Sequence, residues 1–118
     1  MKKIYVCTPL NPNKFNLDKI TDILMKMNVF AFIPPAGQLS NKETGALLDK
    51  RMIEECNEVY VIGAVGRDCC WEIGYASGLG KPVTIFLDHT NNYLIEEDWM
   101  VTLGCNIVDI NVLTIIES

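Results

Sequence analysis

Histidine and basic clusters are scarce in this chain. His89 is the only histidine, and the five cysteines include no C-x-x-C pair, so a zinc site of the usual ligand spacing is excluded. The fifteen acidic residues outnumber the ten basic ones, and the lysines stand singly apart from Lys2–Lys3. A groove for nucleic acid needs clustered Lys and Arg, so we expect no nucleic-acid partner. No run of about 18 apolar residues occurs, so we expect no membrane span.

The composition is that of one globular domain. The chain has 118 residues, of which 49% are apolar and 21% charged, which is enough apolar material for a single core spanning residues 1–118. The cysteine count is odd, and no apolar signal-like segment follows Lys2–Lys3. Reduced thiols and a cytoplasmic location are therefore the expectation.

Apolar runs and helix-like spacings alternate along the chain. The predicted strands are Lys3–Thr8, Val29–Ile33, Glu58–Ala64, Pro82–Leu87 and Asn106–Ile110. The predicted helices are Leu17–Asn28, Glu43–Cys56, Cys69–Leu79 and Asn92–Leu103. Strands that are apolar throughout favour a parallel sheet covered on both faces. With right-handed crossovers, the prediction is a single-domain α/β fold, flavodoxin-like or Rossmann-like, with a five-stranded parallel sheet and helices on both faces.

Two finer predictions concern the second helix and its approach. The polar segment Gly37–Thr44 is predicted to be a loop, and one side of the helix is predicted to be apolar through Leu47, Leu48, Met52, Ile53 and Cys56. In such folds, ligands bind at the carboxyl ends of the strands. This selects three loops as the site: Thr8–Phe15, Pro34–Thr44 and Val65–Asp68.

A pair of carboxylates follows the third strand. Asp68 and Glu72 are four residues apart, which places them on one face of a helix that begins at Asp68 or Cys69. Paired carboxylates can divide the work of glycosyl chemistry, one as nucleophile and the other handling the proton. Acids in a first helical turn are also ordinary caps and dipole partners. The spacing alone leaves both interpretations open.

The residues around this pair carry a resemblance. Trp71–Ala76 (WEIGYA) and Gly80–Val83 (GKPV) resemble the central motif of the nucleoside 2-deoxyribosyltransferase family, which reads E-x-G-x-A on a helix and then G-K-P-V into the next strand. The resemblance covers about residues 3–88. It implies that Glu72 is the nucleophile and that Tyr5 is the aromatic residue of the first strand. Two acidic positions of the family fall on Asp49 and Glu58.

The resemblance has one clear departure. The family carries an aspartate six residues before the glutamate, where this chain has Gly66, and Asp68 stands four before it. Asp68 is therefore a candidate for handling the proton only if its carboxylate reaches the position that the family's aspartate occupies. Related nucleoside-monophosphate N-glycosidases use a serine-rich phosphate pocket, which the first loop, beginning at Thr8, does not reproduce.

The remaining candidate residues each keep an alternative. Tyr5 would hold Glu72 through a phenol–carboxylate hydrogen bond or be a core tyrosine, and Asp49 would reach sugar hydroxyls or be a solvated helix acid. Thr8 would line the first loop, and Gly66 would allow close backbone approach or simply form a turn. Arg67 would contact a phosphate or be solvated. Trp71 would stack on a nucleobase or be buried against the sheet.

The resemblance implies cleavage or transfer at the N-glycosidic bond of a 2′-deoxynucleoside or its monophosphate. It implies no metal and no organic cofactor, a small nucleoside or nucleotide as partner, and a homo-oligomer. Two other functions remain open from the sequence: a nucleotide hydrolase without transferase activity, and a non-catalytic nucleotide-binding or sensor module.

Overall fold

A computed structural model describes residues 2–7, 18, 21–22, 24–26, 29–32, 42–62, 67–87 and 103–109. Its strands are β1 (Lys3–Cys7), β2 (Phe30–Phe32), β3 (Glu58–Ile62), β4 (Val83–Leu87) and β5 (Asn106–Asp109). The helices with both ends among the described residues are α1 (Lys42–Glu55) and α2 (Arg67–Gly78). Residues 18, 21–22 and 24–26 are also helical.

The five strands form one sheet in the order β2-β1-β3-β4-β5, and every neighbouring pair is parallel. This is the flavodoxin-like order, so the predicted fold class is confirmed. The chain leaves β1 toward one edge and returns to β3 on its other side. The point where the strand order reverses therefore lies between the carboxyl ends of β1 and β3, where such folds bind ligands.

Alternate strand residues supply the two faces of the sheet. One core contains Tyr5, Cys7, Val59, Val61, Val83 and Ile85, together with buried residues of α1 and α2. The opposite core contains Ile4, Val6, Ile62 and Phe86 with the helical Leu24. Helices thus cover both faces, as predicted. Each fully buried aliphatic side chain contributes about 1.5–3 kcal/mol, so the strands that carry the site are firmly anchored.

The junction after α2 ties three elements together. Gly80 has a positive φ of 77°, and the Lys81 backbone N–H donates to the Ala76 carbonyl at 2.9 Å, which ends the helix with a left-handed residue. The Lys81 ammonium then donates to the carbonyls of Glu54 and Cys56. Lys81 therefore satisfies the last carbonyls of α1 and joins that helix end to the start of β4.

Several predicted details are wrong. The strand predicted as buried over Val29–Ile33 is an edge strand, and Phe30 is 48% exposed. The apolar side of α1 does not extend to Leu47 and Leu48, which are exposed. In both cases the sequence shows that the residues are apolar but not whether another element covers them.

Two boundaries also differ from the predicted ones. Helix α1 begins at Lys42, inside the segment predicted as a loop. Helix α2 begins at Arg67, two residues before the predicted start at Cys69. Leu103, predicted as the last residue of a helix, lies in a turn. The rest of that predicted helix lies outside the described residues, and so does half of Leu17–Asn28. Within the described part of the chain, no helix has the length and hydropathy needed to cross a bilayer.

Candidate functional site

The candidate site is built from the end of β1 and the first turns of α2. β1 ends at Cys7, next to Val61 of β3 in the sheet register. Residues 63–66, which connect β3 to α2, lie outside the described part. Helix α2 then starts at Arg67 and carries Glu72 in its second turn. This arrangement brings the α2 carboxylate to the reversal point between β1 and β3.

Glu72 faces the sheet rather than solvent. It is 9% exposed, and among the described residues it is the only buried charged side chain. Cys69, Ile73 and Ala76 are buried on the same side of α2, as the three-and-four spacing of a helix requires. The Cys7 thiol donates a hydrogen bond to Glu72 Oε2, with a sulfur–oxygen distance of 3.3 Å. A carboxylate in this position is withdrawn from bulk water and held at the ligand-binding edge.

Tyr5 lies beside Glu72 in the buried core. Its side chain is fully buried and stacks on Phe32 at a centroid distance of 5.7 Å. Its hydroxyl makes no hydrogen bond of normal geometry with the described residues. Burial raises the pKa of Tyr5 far above its ordinary value, and the charge of Glu72, hydrogen bonding toward Glu72 and the charge of Asp49 add to this effect. The phenol is therefore neutral. The hydrogen bond from Tyr5 to Glu72 that the sequence suggested stays a prediction, while the Cys7 thiol donates to Glu72 Oε2.

Asp49 approaches the same region from α1. It is half-buried, and its charge contributes to the raised pKa of the buried Tyr5 phenol. Tyr5, Asp49 and Glu72, three of the predicted site residues, therefore belong to one electrostatic neighbourhood. Such a group has an ionisable carboxylate, a neutral donor and a second acid, which is a set able to hold and attack a polar substrate.

Trp71 points away from this group. It is 54% exposed, and its indole stacks on the Tyr75 ring at a centroid distance of 5.0 Å. The Tyr75 hydroxyl donates to Glu54 Oε2 at 2.6 Å, and the Lys50 ammonium lies 5.8 Å from the Tyr75 ring centroid. Burial of Trp71 against the sheet is therefore wrong. Its stacking on a nucleobase stays a prediction, and the structure does not bring it to Glu72.

The other predicted residues are placed as follows. Arg67 and Asp68 form the start of α2, so Asp68 stands one helical turn before Glu72 in the chain; their side chains, with Thr8 and Gly66, lie outside the described part. Glu58 begins β3 at the amino edge of the sheet and pairs with the Lys2 ammonium at 2.8 Å. The acidic position that the resemblance assigned to Glu58 is therefore at the wrong end of the strand for this site.

Sequence reasoning missed Cys7. The signal was present, because Cys7 follows Tyr5 by two residues in a strand and so shares its face. The sequence did not show that the end of β1 lies under α2, which brings Cys7 to Glu72. Among the described residues, no group of three or more His, Cys, Asp or Glu side chains is arranged to hold a metal ion.

Comparison with known proteins gives structural likeness only. No family model matches the sequence, and neither does any curated protein. A 2-deoxyribosyltransferase from Bacillus psychrosaccharolyticus is similar with a TM-score of 0.71 and 22% identity, over 94% of this chain and 89% of that one.

Two further solved structures are similar over nearly their whole length. A 2-deoxyribosyltransferase from Leishmania mexicana has a TM-score of 0.71 and 17% identity, over 92% of this chain and 91% of that one. A CMP N-glycosidase from Clostridium botulinum has a TM-score of 0.69 and 18% identity, over 99% of this chain and 100% of that one. At these identities the chain shares the fold of 2-deoxyribosyltransferases and of a CMP N-glycosidase.

Proposed function

We propose that this chain is an enzyme that cleaves the N-glycosidic bond of a 2′-deoxynucleoside or its monophosphate, with Glu72 as the nucleophile. The observation that carries the proposal is the position of Glu72: a carboxylate nearly withdrawn from solvent, at the ligand-binding edge of a flavodoxin-like sheet. Ordinary helix acids are exposed, and a buried carboxylate is costly to keep. The fold shared with two deoxyribosyltransferases and a CMP N-glycosidase supports the same chemistry.

The proposed reaction uses the carboxylate directly. A Glu72 oxygen attacks C1′ of the sugar as the C1′–N bond breaks, through an oxocarbenium-like transition state. The bonding electrons leave with the base, which takes a proton at its nitrogen, and a deoxyribosyl ester of Glu72 forms. Asp68 is our candidate for supplying that proton. A second base then accepts the sugar in a transferase, or water accepts it in a hydrolase.

Substrate contacts are assigned to the groups around the carboxylate. Tyr5, buried beside Glu72, stays a proposed contact of the site from the resemblance, and Asp49 is a candidate acceptor for a sugar hydroxyl. Thr8, Gly66, Arg67 and Trp71 remain proposed substrate contacts from the resemblance. No step requires a metal or an organic cofactor, since side chains can carry the proton to the leaving base.

The proposal is tested by chromatography of a reaction containing a deoxynucleoside and a different free base. A new nucleoside indicates a transferase, and free base alone indicates a hydrolase. Glu72→Gln should lower turnover by about 10⁴-fold or more, as removal of a nucleophile does in other enzymes. It should stay folded, because a glutamine oxygen can still accept from the Cys7 thiol. Glu55→Gln is the matched control, since Glu55 is an exposed α1 carboxylate paired with Arg51.

Two results would contradict the proposal. Full activity in Glu72→Gln would remove the carboxylate from the chemistry. Tight nucleotide binding without base release in the unaltered protein would favour the non-catalytic sensor instead.

A hydrolase is the second candidate function. The observation that favours it is the match to the CMP N-glycosidase, which covers 99% of this chain and 100% of that one. CMP and dCMP should therefore be included beside the unphosphorylated deoxynucleosides. Release of free base from a monophosphate, with no exchange when a second base is present, would identify this activity.

We also propose that the chain acts as a homo-oligomer in the cytoplasm. Exposed apolar side chains on α1 and α2, including Leu47 at 61% and Trp71, are suitable for contact with a second copy. All five cysteines lie in the described part and none forms a disulfide, which suits a reducing compartment. Light scattering coupled to size-exclusion chromatography tests the first part, and fractionation of source cells tests the second.

A further inference from the structure

The thiol of Cys7 donates a hydrogen bond to the Glu72 carboxylate. Cys7 is the last residue of β1 and is 1% exposed. Its sulfur lies 3.3 Å from Glu72 Oε2, and the two residues are 65 positions apart in the chain. The contact therefore joins the end of the central strand to the second turn of α2. It fixes one carboxylate oxygen relative to the sheet.

The Cys7 thiol is protonated at neutral pH and so can act as a donor. A hydrogen bond with Cys69 raises the pKa of the Cys7 thiol well above its ordinary value, and burial and the negative charge of Glu72 raise it further. Cys69 stands three residues before Glu72 on the same side of α2, and both are buried. The two thiols and the carboxylate thus form a continuous buried cluster.

We propose that Cys7 is a positioning residue for Glu72: its S–H group holds Oε2 against β1 and so sets the direction in which the carboxylate faces the sugar. This inference rests on the proposed function of Glu72. A carboxylate at the end of a glutamate side chain has several rotamers, and only a narrow range of them presents an oxygen to C1′. A thiol is a weak donor. It can therefore orient the carboxylate while lowering its nucleophilicity less than an O–H or N–H donor would.

The test compares three substitutions at Cys7 with one elsewhere. Cys7→Ala removes the donor, and kcat/KM is expected to fall about 3- to 10-fold, in line with the loss of one hydrogen bond from a weak donor. Cys7→Val also removes the donor but fills the space, so it replaces the alanine variant if that one does not fold. Cys7→Ser keeps a donor and should restore most of the activity. Cys56→Ala is the matched control, because Cys56 is an equally buried thiol that donates to the Ile53 carbonyl instead.

The pH profile separates positioning from packing. A hydrogen bond to a carboxylate favours its ionised form. Losing it should therefore raise the pKa of Glu72 and move the acid limb of kcat/KM upward, by about half to one pH unit. Cys7→Ser should reverse that movement. Cys56→Ala should lose thermal stability with no movement of the acid limb.

The carboxyl pKa of Glu72 can also be followed without turnover, by ¹³C NMR of protein labelled at glutamate. The expected result is a rise in Cys7→Ala or Cys7→Val and a return toward the original value in Cys7→Ser. An unchanged Glu72 pKa in the donor-free variants would overturn the inference even in an active enzyme. If the unaltered protein is inactive but the Cys7→Ala or Cys7→Val variant still shows the rise in the Glu72 pKa, the proposed function is contradicted while the Cys7 contact to Glu72 is supported.

Discussion

The buried hydroxyl of Tyr5 gives the sharpest stability prediction. The side chain is fully buried, and its hydroxyl makes no hydrogen bond of normal geometry with the described residues. Leaving a buried donor without a partner costs about 1–3 kcal/mol. Tyr5→Phe removes that cost while keeping the ring and its stacking on Phe32. Loss of the oxygen atom's packing contacts offsets part of the gain, so we expect the free energy of unfolding to stay equal or rise by about 1 kcal/mol.

Tyr75→Phe is the matched control for this measurement. Its hydroxyl donates to Glu54 at 2.6 Å near the surface, so removing it should lower the free energy of unfolding slightly, because solvent screens the contact. Urea unfolding followed by circular dichroism gives both values, provided that the slopes against denaturant agree. A loss of about 1 kcal/mol or more in Tyr5→Phe would instead mean that the hydroxyl is bonded in solution. If the hydroxyl serves the substrate, turnover falls in the same variant that gains stability.

Three further predictions concern stability away from the carboxylate. Gly74→Ala should add about 0.5–1 kcal/mol to the unfolding free energy, since a Cβ there meets nothing within 4 Å in α2; calorimetry measures it. Lys81→Met should cost about 1–2 kcal/mol, measured by urea unfolding, because the carbonyls of Glu54 and Cys56 lose their donor. Burial and then Glu58 raise the pKa of Tyr60 to about 12. The folded state then binds more protons than the unfolded state from about pH 10 to 12, so stability should fall with rising pH there, and less steeply in Tyr60→Phe.

The sheet was predictable because its strands carry their own signals. Runs such as Glu58–Ile62 and Val83–Leu87 are apolar and short, and each is bounded by turn residues. A right-handed crossover rule then leaves few ways to order them. The edge position of β2 was not predictable in this way, because Phe30–Phe32 is as apolar as a central strand. Nothing local in a strand says how many neighbours it has.

Of the candidate site, only the residue with a recognisable motif was predictable from the sequence. The motif predicted Glu72 as the nucleophile, and the structure adds that its side chain is buried. Its hydrogen-bond donor was not identified, because Cys7 and Glu72 meet across 65 positions of sequence. Trp71 shows the converse problem. An aromatic residue beside the key acid in sequence points about 100° away from it around a helix, and here it stacks on Tyr75 at the surface.

In the proposed reaction, Glu72 forms a covalent bond to the sugar. An acid-quenched reaction with a deoxynucleoside, digested and examined by mass spectrometry, detects that bond. The peptide containing Glu72 should carry the added mass of the deoxyribosyl group, and the same peptide of Glu72→Gln should carry none. Steady release of base with the sugar attached to a different residue, or with no adduct at any quench time, would exclude Glu72 as the nucleophile.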